Sequence, residues 1–126
     1  MAEGVQADDN VVQFGIGELG GRMRAARSHL WGLVSALDER AAEGRATRVQ
    51  ARLEVSQACQ IRARASRDMV VFAFDYASTS VVYARHPLQR CLRDMFTGQK
   101  HAAFTPAYLR LFGKTQLEMP SARRPL

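Results

Sequence analysis

HPLQRCLRDMFTGQKH, His86 to His101, is the stretch whose reading decides the fold. Pro87 has its φ locked near the helical value and no N–H to lose, so the spacing predicts a helix that starts there. Leu88, Cys91, Leu92, Met95 and Phe96 recur at helical intervals and make an apolar face. Arg90, Asp94, Thr97 and His101 fall on one line along the other side. That line is either a solvated face or a surface aimed at another domain or a ligand. Arg90 and Asp94 alone do not decide it, since an exposed pair four residues apart contributes only about 0.3–0.5 kcal/mol.

Outward from this stretch the pattern stays helical. Val12, Ile16, Leu19, Met23, Ala26, Leu30, Leu33 and Leu37 recur in steps of three and four. They predict a long amphipathic helix closed by Gly44 at a left-handed C-cap. Gly20 and Gly21 within it mark either a kink or a close helix contact. A second helix is predicted from about Ala46 to Tyr76, with Ile61, Ala65, Met69, Phe72 and Tyr76 as its stripe. Its segment Met69–Phe74 is apolar nearly all round, which in so short a chain suggests contact with another subunit or a further domain. Ser78-Thr79-Ser80 is a polar break. Thr105-Pro106 suits the start of a fourth helix, with Thr as N-cap and Pro in the first turn, followed by Tyr108, Leu109 and Phe112. No strand and no internal repeat is expected. The fold class is all-α, a four-helix up-down bundle over residues 10–118, between a flexible N-terminal segment at 1–9 and a basic tail at 119–126.

The chain has 126 residues, 47 % of them apolar, which suits one domain with a core. No run approaches ~18 apolar residues, so no membrane span is expected. No basic stretch precedes an apolar one at the N-terminus, so no signal peptide is expected either. Cys59 and Cys91 lack metal-ligand spacing and are too few for a disulfide framework. They read as buried thiols in a reducing, cytoplasmic setting. Net charge is +6, nearly all of it arginine, with Lys100 and Lys114 the only lysines. That balance favours phosphate, carboxylate or an acidic surface as partner.

Among single residues, His101 has acid–base chemistry near working pH, and its alternative role is a helix-end cap. Arg90, Arg93 and Asp94 offer either bidentate phosphate contacts or an ion-pair network between helices or subunits. Ser78, Thr79 and Ser80 offer hydroxyls and backbone N–H groups for a phosphate or ribose, or satisfy themselves. Arg85 is a separate candidate for a diphosphate. A helical nucleic-acid-binding module is a rival class, since the cations are numerous. It is disfavoured because Asp38, Glu39, Glu43, Glu54, Asp68 and Asp75 interrupt them and no recognition motif is present. A purely structural oligomerisation module is the third class. Phosphate loops, metal clusters and nucleophile–base sets are not evident in the sequence.

The run DYASTSVVYARHPLQRCLRDMFTGQKHAAFTPAYLRLFGKTQLEMP resembles the C-terminal helical domain of the acyl-CoA dehydrogenase superfamily, and within it the type 2 domain of the group D flavin-dependent monooxygenases. The resemblance rests on the small-residue break Ser78-Thr79-Ser80, then Pro87, Arg90, Arg93-Asp94, His101 and Gly113-Lys114. GRMRAARSHLWGL in the first helix adds to it. Two positions depart from the family pattern: Ser78 stands where a glycine is common, and Phe104 stands where some monooxygenases carry their histidine. The resemblance implies a bundle that follows an N-terminal helical domain and a β-domain, in a homotetramer or dimer whose bundles build the core. It implies FAD or FMN as cofactor, touched by Ser78, Thr79, Ser80, Arg85 and Arg93, with His101 near the flavin ring as the catalytic candidate. A flavin reductase is a further implied partner. The parent enzyme would oxygenate an aromatic or polycyclic substrate, or alternatively desaturate an acyl-CoA. The present chain corresponds to about one third of such an enzyme, a fragment or stand-alone descendant expected to be inactive alone.

Overall fold

The computed structural model describes residues 8–120 and is all-α, with four helices and, among the described residues, no strand. Helix α1 spans Asn10–Ala42, α2 Val49–Asp75, α3 Pro87–Gly98 and α4 Ala107–Gln116. Short 3₁₀ turns occupy Thr79–Val82, before α3, and Ala102–Phe104, before α4. The terminal segments expected at 1–9 and 119–126 lie outside the described residues, apart from Asp8, Asp9, Met119 and Pro120.

Local chemistry sets the ends. Asp9 caps α1, its carboxylate accepting the Val11 N–H at 2.7 Å. At the other end Gly44 has φ +67°. The Gly44 N–H reaches the Ala41 carbonyl at 3.0 Å, and the Arg45 N–H reaches that of Arg40 at 2.9 Å. This is the paired-bond C-terminal closure that favours glycine. His86 caps α3, its Nδ1 accepting the Leu88 N–H at 3.2 Å, with Pro87 as the first helical residue. At α4 the expected cap is present in outline only. Thr105 is extended and Pro106 already helical, but the Tyr108 N–H is taken by the Thr105 carbonyl at 3.2 Å and no side-chain cap forms.

Helices α1 and α2 run antiparallel. Gly15 meets Phe72, Gly20 lies beside Met69, and Arg62 Nη1 reaches Met23 Sδ at 3.0 Å. Helix α3 also runs antiparallel to α2, for Arg67 lies over the Phe96 ring and Gln99 Nε2 donates to the Ala63 carbonyl at 2.8 Å. Helix α4 packs on α2 as well. The core is thin: the buried apolar residues are Val12, Ala26, Leu53, Ala58, Ala65 and Val81, and neither α3 nor α4 contributes one. The predicted stripes locate the contacts, with two shifts. Ile16 is exposed while Gly15 and Gly20 are buried, and the residues of Met69–Phe74 are all half-buried, with Met69 and Phe72 turned to α1. The two cysteines do not form part of a core: Cys91 is exposed and Cys59 half-buried, its thiol pKa pushed up by that burial. Helix α3 lies on the surface of α2 with its apolar side only half covered, and this leaves Cys91 open.

Among the described residues one polar side chain is buried. Gln60, 3 % exposed, donates from Nε2 to the carbonyls of Ala103 and Thr105, both at 3.1 Å. It ties the turn between α3 and α4 to the middle of α2.

Two predictions follow from these contacts. A Cβ at Gly15 would collide with the Phe72 ring, whereas one at Gly21 would meet nothing within 4 Å. Gly21→Ala should therefore stabilise the chain by up to about 1 kcal/mol. Gly15→Ala should destabilise it, because crowding of about 1–3 kcal/mol outweighs the same propensity gain. Thermal unfolding of the two variants must give opposite signs; equal gains would rule out the close crossing. For Gln60→Ala the expected loss is about 1–3 kcal/mol, since two carbonyls lose their partner, and amide exchange should quicken over 102–110. Unchanged exchange there would exclude the tie.

Candidate functional site

The residues singled out in the sequence occupy two places. Ser78, in extended conformation, leads into the 3₁₀ turn, and its carbonyl accepts the Val81 N–H at 3.0 Å. Its Oγ lies 2.6 Å from Ser80 Oγ, so one hydroxyl donates to the other. Each then still has hydrogen-bonding capacity for a further partner. Thr79 and Ser80 are exposed, Ser78 half-buried. Buried Val81, 4 % exposed, anchors the turn from below. Arg85 lies 5.8 Å from the centre of the Tyr83 ring, which steadies an otherwise exposed guanidinium. All of these precede α3.

His101 follows α3. It does not continue the α3 line of Arg90, Asp94 and Thr97, because the helix ends at Gly98 and Gln99 closes it. Instead His101 is extended and caps the next 3₁₀ turn, its Nδ1 accepting the Ala103 N–H at 3.1 Å. Its ring meets Phe104 edge-on at 6.4 Å. In the neutral ring the proton then lies on Nε2, the nitrogen left for another partner. The capping role and exposure to a ligand are thus compatible.

Twelve residues of α3 separate the two groups, about 18 Å of helix. One chain therefore does not bring Ser78–Ser80 and Arg85 together with His101. Arg93 lies between them, exposed, with no ion pair among the described residues. The Arg90–Asp94 pair forms at 3.5 Å but is well exposed on both sides, so it is an isolated surface pair and not a network.

Two of the concavities that lie elsewhere involve α2. A groove of ≈ 460 Å³ between α1 and α2 has Ala26, Ile61 and Ala65 as its floor and Arg22, His29 and Asp68 around it. A cleft of ≈ 470 Å³ lies where α2, α3 and the start of α4 meet, with Arg64, Arg67 and Lys100 on its walls. Sequence reasoning missed the second. Its trace in the sequence is Gln60, Arg64 and Arg67 at helical spacing, a stripe polar enough to pass for a solvated face. Among the described residues no group of His, Cys, Asp and Glu is suited to a metal ion, and no helix is long and apolar enough to cross a membrane.

Residues 2–106 match the family model for the C-terminal domain of acyl-CoA dehydrogenase; the match ends at Pro106, just before α4. No curated protein and no solved structure matches the chain. The antiparallel α1–α2 pair, the α3 that follows a serine-rich turn, and a match over most of the sequence lead to one conclusion: the chain belongs to the acyl-CoA dehydrogenase C-terminal domain family.

Proposed function

We infer that this chain is the C-terminal bundle of a flavoenzyme of two-component monooxygenase type, where it builds the oligomer and supplies one wall of a flavin site. The observation that carries this reading is a coincidence at one end of the molecule. The start of α1, the end of α2 and the turn before α3 meet there. Val11, Phe14, Tyr76, Val82 and Tyr83 are exposed at that end, Phe14 to 71 %. The hydroxyls of Ser78–Ser80 and the Arg85 guanidinium share it. An apolar rim around polar donors is the surface expected where a second copy or a neighbouring domain closes over a phosphate-bearing cofactor.

The surface area agrees. The chain exposes 9546 Å², against about 6,700 Å² for a compact monomer of its mass. The thirteen residues outside the described range account for at most about 2,100 Å² of the excess even if fully exposed. The remainder belongs to the open packing of helices on α2 and leaves room for an interface.

The donor set fits part of a flavin and not the whole. Serine hydroxyls, Arg85 and Arg93 suit phosphate and ribose oxygens. The ring system needs walls that exclude water, and one copy of the bundle provides none. The roughly 18 Å between the serine turn and His101 is consistent with the two groups serving flavins of different subunits. In such enzymes the flavin, FAD or FMN, supplies the electrons passed to oxygen. This chain's share would be to hold the phosphate end at Ser78–Ser80 and to present His101 Nε2 toward the ring and substrate. N-terminal and β-domains, with a flavin reductase, would complete a cytoplasmic system. Duplex DNA is not the expected partner.

Light scattering with size exclusion should give a mass that is a multiple of 14.0 kDa. Phe14→Glu or Tyr83→Glu should lower it while helicity is kept, because a charge in a buried interface is costly. The assembled chain should bind FAD or FMN saturably, read by flavin fluorescence, and lose binding with Ser80→Leu. A wild-type monomer at about 0.1 mM overturns the assembly role. An assembled chain that binds neither flavin overturns the flavin wall.

A further inference from the structure

The cleft between α2, α3 and the start of α4 combines features that the serine turn lacks. Arg64, Arg67 and Lys100 line it, and no Asp or Glu does. None of the three forms an ion pair among the described residues. The nearest acid along the chain, Asp68, lines the neighbouring groove between α1 and α2, which Arg64 also borders, and does not line this cleft. Three cations that share one concavity without a counter-ion repel one another and leave a focused positive potential.

The walls are fixed before any ligand arrives. Gln99 Nε2 donates to the Ala63 carbonyl at 2.8 Å, which joins the end of α3 to α2. Gln60, buried, holds the carbonyls of Ala103 and Thr105 and thereby the far wall. Both glutamines line the cleft, and their bonds hold its shape. Arg67 is held as well, its guanidinium 5.2 Å from the centre of the Phe96 ring. A cleft whose walls and one of whose arginines are already held needs less ordering on binding, which favours affinity for a small anion.

We propose that this cleft is an anion site for a small phosphate-bearing ligand with two or more negative charges. A single carboxylate would leave two of the three cations uncompensated. Phosphate oxygens match arginine's fork, and lysine acts as a point charge beside them. The volume of ≈ 470 Å³ admits a diphosphate together with a modest organic group. The site is separate from the serine turn before α3, and it stands whether or not the flavin reading does.

The test is a titration of the full chain with inorganic pyrophosphate at about 0.1 M salt, followed by calorimetry and by phosphorus NMR, with benzoate as the singly charged comparison. Pyrophosphate should bind with one-to-one stoichiometry, and benzoate about tenfold or more weakly. Lys100→Gln and Arg67→Gln should each weaken pyrophosphate about tenfold. Arg52→Gln, which removes the same charge from an exposed site elsewhere on α2, should change it by less than about twofold. Lys100→Arg should restore binding, which separates a ligand contact from loss of fold. Amide shifts on titration should centre on 96–104. Equal weakening by all three charge-removing variants would mean diffuse attraction to a basic protein and would overturn the site. Benzoate binding as tightly as pyrophosphate would overturn the phosphate assignment, and absence of saturable binding would overturn both.

Discussion

Every extensive helix–helix contact in this chain is made on the surface of α2. Helix α1 covers one side of it, and α3, the following turn and α4 share another. Three partners on one rod leave little interior, so the small residues of α2 matter more than its large ones. Ala58 and Ala65 are buried where partners come close, and Phe72 reaches out to fill the place that Gly15 leaves open. The aromatic pair Phe72–Tyr76, with centroids 4.6 Å apart, extends that contact to the end of the helix. Close approach to a single rod, secured by alanine, glycine and one buried amide, is the constraint on which the architecture depends.

The sequence made the helices legible because their ends carry capping chemistry. Gly44 and His86-Pro87 each signal a boundary through a local hydrogen bond or a backbone preference, and each is found in that role; the Asp9 cap of α1 emerges only from the structure. What stayed hidden depends on geometry between segments. The tightest approach of α1 to α2 falls at Gly15, against the Phe72 ring, while Gly20 is buried beside Met69 and Gly21 meets nothing. His101 leaves the α3 line because the chain turns at Gln99 before it, a break that periodicity over sixteen residues does not register. Cys91 is open to solvent because its apolar face lies on a helix that covers only part of α2.

The candidate residues were legible as residue types and not as a site. Ser78, Thr79, Ser80, Arg85, Arg93 and His101 all stand where hydrogen-bonding groups are open to a partner, yet α3 holds the serine turn and His101 apart. Under the proposed function such a layout has a purpose, each end of α3 being available to a different neighbour. Membership of the acyl-CoA dehydrogenase C-terminal domain family and the exposed apolar end of the bundle point the same way. The cationic cleft is the converse case, a set of residues unremarkable in sequence that the packing of α3 against α2 gathers into one place.

The absence of buried side chains on α3 and α4 bears on how this molecule opens. Most of the buried apolar residues, among those described, lie on the hairpin of α1 and α2. That hairpin forms a cooperative unit that can outlast its surroundings, while α3 and α4 belong to a second, weaker unit fastened by the amides of Gln60 and Gln99. In the proposed assembly, a neighbour that grips α3 would stabilise the part of the domain with least burial of its own, and assembly and local order would become one equilibrium.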